Sequence, residues 1–244
     1  MKRPSEADDS LFAAFRPHLR ELRRRVILSA LAFFTASIVG FIFAGPLMEL
    51  LARPIGGLGS LQSLEVTENF TASFSVALLG GALLASPVIL YEIVAFILPG
   101  LKENERRFLR FLLPSSALFF VGGVLFAFFA LLPTAIPFLT GFMGIETRLQ
   151  TGPYFSFTTA LLFWIGIVFE LPVAVFLLAK ARVLSSALLL RNWRIAIVVI
   201  AVLAMLITPT VDPVNMLLLM APLVVLFFVS ISFAKIAERG APPK

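Results

Sequence analysis

The chain has no cysteine and a single histidine, His18. The first absence excludes disulfides, thiolate metal sites and a cysteine nucleophile; the second leaves no histidine pair for a zinc site or a proton relay. Neither a metal nor a cofactor is expected. Charge is also scarce, since Asp, Glu, Lys and Arg make up 14% of the 244 residues while 59% are hydrophobic and 26 are Phe. A soluble core cannot absorb so much apolar surface, and so little charge cannot cover it, so the solvent must be largely lipid. A formal charge of +6 and a pI near 10.3 would suit nucleic acid. The basic residues, however, fall in short clusters between apolar runs, where they mark topology, and no nucleic-acid partner is expected. Enzyme chemistry lacks its usual nucleophile–base or metal pair. Gly122-Gly123 lies in an apolar run, and nothing resembles the Lys-Ser/Thr motif of an ATP-binding loop. No internal repeat, low-complexity tract or linker divides the chain, so residues 1–244 read as one domain.

What is abundant is long apolar runs. Leu11, Phe12, Phe15, Leu19, Leu22 and Val26 recur every three or four residues, the stripe of an amphipathic helix over about 11–25. Its other face carries Arg16, Arg20, Glu21, Arg23 and Arg24, suited to an anionic leaflet before the chain enters the membrane. Six transmembrane helices follow, at about 26–47, 71–98, 108–132, 155–179, 193–207 and 215–234. The first run is too long for the apolar region of a signal peptide. Ser86-Pro87 is expected to kink the second, and Pro133 and Pro137 to end the third, with a short outer helix around Thr134 to Phe142. The fifth, at about 22 Å for a hydrocarbon core of about 30 Å, requires a thinned bilayer or a protein shield. With both termini and the loops at 98–110 and 180–194 on one side, 18 of the 20 Lys and Arg lie there, and only Arg53 and Arg148 lie opposite. By the positive-inside rule both termini of this multi-pass chain are then cytoplasmic.

Few residues could carry chemistry. Glu170 lies ten residues before Lys180, so about 15 Å from that boundary and near the bilayer midplane. A carboxylate there costs about 2.5 to 3.5 kcal/mol, so it should face protein or water; a hydrogen bond to a neighbouring helix is the plainer alternative to a functional contact. Glu21 and Glu105 sit at the cytoplasmic surface beside arginines, where local ion pairs, Glu21 with Arg25 one turn on, compete with a binding role. Asp212, between Pro209 and Pro213, fits a structural turn. A small proton-coupled secondary transporter using Glu170 is the competing class, against which stand the missing repeat and the lack of a second intramembrane charge.

Five stretches together resemble a family. They are His18-Leu19-Arg20-Glu21-Leu22-Arg23-Arg24-Arg25, Ser86-Pro87-Val88-Ile89-Leu90-Tyr91, the loop Pro99 to Arg107, Phe169-Glu170-Leu171-Pro172, and Thr208-Pro209-Thr210-Val211-Asp212-Pro213. In this order they resemble TatC, the multispanning receptor subunit of the twin-arginine protein translocase. The resemblance implies an all-α, six-helix, concave glove-like bundle in the cytoplasmic (inner) membrane of a prokaryote. It implies binding of paired-arginine signal peptides and, with single-span TatA and TatB partners and other copies of itself, export of folded proteins driven by the proton-motive force. It implies Glu105 as the main arginine acceptor with Glu21 beside it, Arg23 and Phe96 in support, Pro54 in the first outer loop, and Glu170 facing partner or signal helices. Two acidic acceptors can tell paired Arg from paired Lys at equal charge, because a guanidinium offers a planar fork. One departure is visible: Leu226-Phe227-Phe228 stands where the family often has a Glu in helix six.

Overall fold

The computed structural model describes residues 4–97, 103–141, 148–207 and 213–239, with side chains described from His18 to Phe96, Pro114 to Gly141, Arg148 to Leu206 and Met216 to Glu238, Leu218 excepted. Among the described residues ten α-helices follow one another: α1 Pro4–Ile42, α2 Ala44–Ala52, α3 Glu68–Ile97, α4 Glu103–Phe126, α5 Leu132–Gly141, α6 Thr151–Phe169, α7 Leu171–Lys180, α8 Ser186–Arg191, α9 Trp193–Ile207 and α10 Pro213–Arg239. Five stretches are long and apolar enough to cross a membrane, namely His18–Ile42, Glu68–Phe96, Pro114–Gly141, Thr151–Lys180 and Leu219–Glu238, and Trp193–Leu206 is a shorter apolar helix. Phe34, Ile38, Leu118, Phe129 and Leu206 stand exposed around the outside, as lipid-facing side chains do. The protein is an all-helical, multi-pass membrane protein.

The breaks between helices differ from those the sequence suggests. The amphipathic segment and the first span form one continuous helix, because no glycine or proline interrupts residues 18–39. That helix stops at Ile42 and resumes as α2 after Phe43, instead of running to about residue 47. Pro133 does not end the third span. A π-helical turn over Ala127–Leu131, in which the Leu132 N–H bonds to the Ala127 carbonyl, precedes the proline, and the widened turn accommodates its ring and missing donor, so α5 continues to Gly141. The fourth span is interrupted where an unbroken helix was expected. Pro172 stands in the first turn of α7, and the Glu170 N–H bonds to the Ile167 carbonyl at 3.0 Å, a tightened turn that leaves Glu170 at the junction of α6 and α7. The last helix runs on to Arg239.

Two glycine contacts set the packing. In the antiparallel pair α1–α3, a Cβ at Gly40 would lie 2.5 Å from the Ala77 carbonyl oxygen, and one at Gly81 would lie 2.7 Å from Ser37 Cα. The two backbones touch, as small residues allow in a bilayer where apolar burial drives no helix pairing. Between α4 and α6 the arrangement is knob into notch: Gly123 receives Phe169 and Gly166 receives Phe120. A large core forms around Leu132, Phe155, Ile165 and Leu223, and a smaller one around Val94, Val173, Phe176 and Ala234 lies toward the other end of α3.

On the α2 side the connecting segments are stitched together. Gln62 donates to the Leu149 carbonyl and accepts from the Thr151 amide, both at 3.0 Å, and the Tyr154 hydroxyl donates to the Leu51 carbonyl at 2.7 Å. Pro54 sits in a 3-10 turn, Arg53–Ile55, followed by Gly56 and Gly57 at φ +90° and +99°, values that L side chains rarely adopt. The opposite end of the bundle is held by Glu238, whose carboxylate accepts from the Ser186 amide and hydroxyl at 2.6 Å each.

Candidate functional site

The end of the bundle that carries the arginine cluster of α1 is built from two helix faces. His18, Glu21 and Arg25 recur at three- and four-residue spacing and so share one stripe of α1; Glu92 and Phe96, four apart, share one stripe of α3. Antiparallel packing brings the stripes together in register. His18 stacks on Phe96 with ring centroids 4.4 Å apart, and one turn or two further along Arg25 reaches Glu92. The Arg25 guanidinium donates from Nη1 to Glu92 Oε2 at 2.9 Å, and from Nη2 and Nε to Glu21 Oε1 at 2.7 and 3.2 Å. Glu92 is buried although it stands within an apolar span. It is tolerated there because it is paired, where an isolated carboxylate in that setting would be costly.

A concavity of about 520 Å³ opens beside this cluster, lined by Arg20, Glu21, Arg24, Arg25, Leu28, Tyr91 and Glu92. Its carboxylates can accept a planar cation, and Leu28 and Tyr91 offer an apolar wall, the combination that suits an arginine followed by an apolar segment. Glu21 lines it, whereas Phe96, stacked on His18, is not part of its lining. Arg23 is exposed on α1, and the arginines of the concavity are Arg20, Arg24 and Arg25. Glu105 falls in the first turn of α4, and its side chain, like the whole of the loop at 98–102, lies outside the described residues. Asp212 also lies outside them.

Glu92 is the residue that local reading passes over, while Arg20 and Arg24, read from the sequence as a membrane-surface face, line the concavity. Glu92 pairs with a partner 67 positions away, which no spacing rule reveals. The available signal was an acidic residue in an apolar helix, since such a group needs a cation.

Glu170, half-buried at the junction of α6 and α7, forms a second polar point. The Ser116 hydroxyl of α4 donates to its Oε2, and Ser116 is buried. The other oxygen, Oε1, is buried and has no hydrogen-bond partner of standard geometry among the described residues. The break before Pro172 places Glu170 at the N-cap of α7. Glu170 is therefore tied to α4 through the Ser116 hydroxyl, with the Phe120 backbone amide of the same helix also facing the carboxyl.

Residues 17–222 match the family described as Sec-independent protein translocase protein (TatC). A Sec-independent protein translocase protein TatC of Carboxydothermus hydrogenoformans is 38% identical over 221 residues, covering 89% of this chain and 91% of that protein. The TatC of Synechocystis is 35% identical over 238 residues, covering 97% and 92%. A solved structure described as the twin arginine translocase receptor TatC superposes with a TM-score of 0.80 at 37% identity, covering 90% of this chain and 99% of that one.

Proposed function

Because this chain belongs to the TatC family of Sec-independent protein translocases, we propose that it is the receptor that binds paired-arginine signal peptides at the cytoplasmic face. Glu105 and Glu21 are the arginine acceptors, and Arg23 and Phe96 support the site. The observation that carries this reading is the concavity at Glu21, where carboxylates stand beside an apolar wall at the end of the bundle holding the arginine clusters. Eighteen of the 20 basic residues fall on that side, which supports cytoplasmic termini in an inner membrane. Single-span TatA-type and TatB-type subunits and further copies of this chain complete the translocase, which exports folded cargo on the proton-motive force without enzymatic chemistry of its own. Glu170, a carboxyl within an apolar span, contributes a contact within the membrane to a partner or signal helix.

Binding of a labelled twin-arginine peptide to the purified full chain tests the reading. Glu105→Ala and Glu21→Ala should each weaken binding, Glu105→Ala by about ten- to a hundredfold, since a charge-assisted hydrogen bond at a partly desolvated boundary contributes about 1.5 to 3 kcal/mol. Glu105→Gln should fail as well, because it loses the charge and the two-oxygen fork. A twin-lysine peptide should bind the unmodified chain more weakly, and that penalty should shrink once Glu105 is gone. Equal affinity for the two peptides would remove the arginine-reading role.

A further inference from the structure

The concavity already contains a guanidinium of its own. Arg25 directs Nη2 and Nε to one oxygen of Glu21 at 2.7 and 3.2 Å and Nη1 to Glu92 at 2.9 Å, so the donor fork that an arginine peptide would bring is applied to both carboxylates in advance. The two carboxylates are not equivalent: the Glu21 side chain is 35% exposed and that of Glu92 11%. Glu21 thus meets an incoming ligand first, and Glu92 stands behind. Three arginines against two glutamates line the wall. A further cation gains little from such a surface unless it takes over a carboxylate that is already neutralised.

From this geometry we infer that Arg25 is a resident arginine that exchanges partners. At rest it bridges Glu21 and Glu92. When a peptide guanidinium arrives, it takes Glu21, and Arg25 withdraws to Glu92 alone. Neither carboxylate nor Arg25 is left unpaired, since Glu21 passes from Arg25 to the peptide while Arg25 keeps the more buried carboxylate. Without Glu92, releasing Glu21 would strand a partly buried guanidinium, which is the costly outcome when one member of such a pair is removed. Glu92 is therefore a positioning residue: it acts on the peptide only through Arg25 and sets how readily Glu21 is ceded. This inference rests on the arginine-peptide reading above.

The test is a double-mutant cycle on the full chain in lipid nanodiscs, with a labelled twin-arginine signal peptide as probe and size-exclusion profiles as the check of folding. Arg25→Gln should tighten binding roughly two- to fivefold, the range of a partly exposed ion pair. Glu92→Gln should weaken it by a similar factor, because Arg25 then stays committed to Glu21. In the double variant the Glu92→Gln penalty should vanish, since there is no longer a guanidinium to hold back. Arg25→Lys keeps the charge but lacks the fork; it should fall between the unmodified chain and Arg25→Gln, and it decides the matter if Arg25→Gln does not fold. Unchanged or weaker binding by Arg25→Gln overturns the exchange, as does a Glu92→Gln penalty that persists in the double variant, which would make Glu92 a direct ligand. If the unmodified chain does not prefer the twin-arginine peptide over a twin-lysine one, the receptor reading itself falls. With that preference intact, failure of the cycle removes the exchange alone.

Discussion

Replacing Gly81 with alanine adds one methyl group at the tightest point between α1 and α3. The new Cβ would lie 2.7 Å from Ser37 Cα and 2.8 Å from Ser37 N, and closer still to Ser37 Oγ. A rotamer change relieves only the last of these. The other two are backbone atoms, so the helices must separate by about 1 Å to restore ordinary contact. Overpacking of this kind costs about 1 to 3 kcal/mol, against which the better helix propensity of alanine returns at most about 1 kcal/mol. Ser37→Gly should fail to rescue the variant, because the main-chain clash remains. Gly122→Ala supplies the control: nothing lies within 4 Å of its built Cβ, so that substitution should be neutral or mildly stabilising. Thermal unfolding of the purified protein, followed by fluorescence size exclusion, should place Gly81→Ala below the unmodified protein and Gly122→Ala level with it or above. Since the same helix pair carries the contacts of Arg25 with Glu92 and of His18 with Phe96, Gly81→Ala should also weaken peptide binding. Indistinguishable melting of Gly81→Ala and Gly122→Ala would refute backbone-to-backbone packing of α1 on α3.

Two further outcomes follow from the polar groups. Glu170→Gln keeps a hydrogen-bonding terminus and should impair export less than Glu170→Ala, while Ser116→Ala, which removes the hydroxyl that donates to Glu170, should cost about 1 kcal/mol of stability; equal export and unchanged partner crosslinking in both Glu170 variants would deprive that residue of its role in the membrane. For topology, single cysteines can be introduced without interference because the chain has none. Position 183, exposed beyond α7, should resist an impermeant maleimide in intact cells and position 64 should react, whereas external labelling at 183 would invert the orientation. Position 186 is a poor probe, since Ser186 is buried against Glu238.

Helices were legible wherever an apolar run exceeded about 18 residues, because the bilayer leaves the backbone little alternative. The short run at Trp193–Ile207 reads directly from its composition and is a helix over that range. Interruptions were harder. Pro133 and Pro172 carry the same local signal, yet one is absorbed by a π-helical turn and the other breaks the helix at Glu170. The difference lies in backbone geometry on either side, which residue type does not encode. The site divides in the same way. The i,i+4 spacing of Glu21 and Arg25 announces their ion pair, and the structure contains it. Glu92 answers the same arginine from another helix, and the stack of His18 on Phe96 joins the same two elements. Those contacts depend on the register of α1 on α3, which the glycine and serine contacts at Ser37, Gly40 and Gly81 determine and no periodicity displays.

The stitching on the α2 side has a consequence for the order of synthesis. Tyr154 and the Leu51 carbonyl it caps are 103 residues apart. At about 5 to 20 residues per second, the ribosome needs about 5 to 20 s to pass from one to the other. Throughout that interval the Leu51 carbonyl is without the Tyr154 hydroxyl, and the α1–α3 hairpin is complete before its brace exists. The nascent chain therefore meets the bilayer first as a hairpin held by glycine contacts, and the clasp between its connecting segments closes only after α6 has begun to emerge.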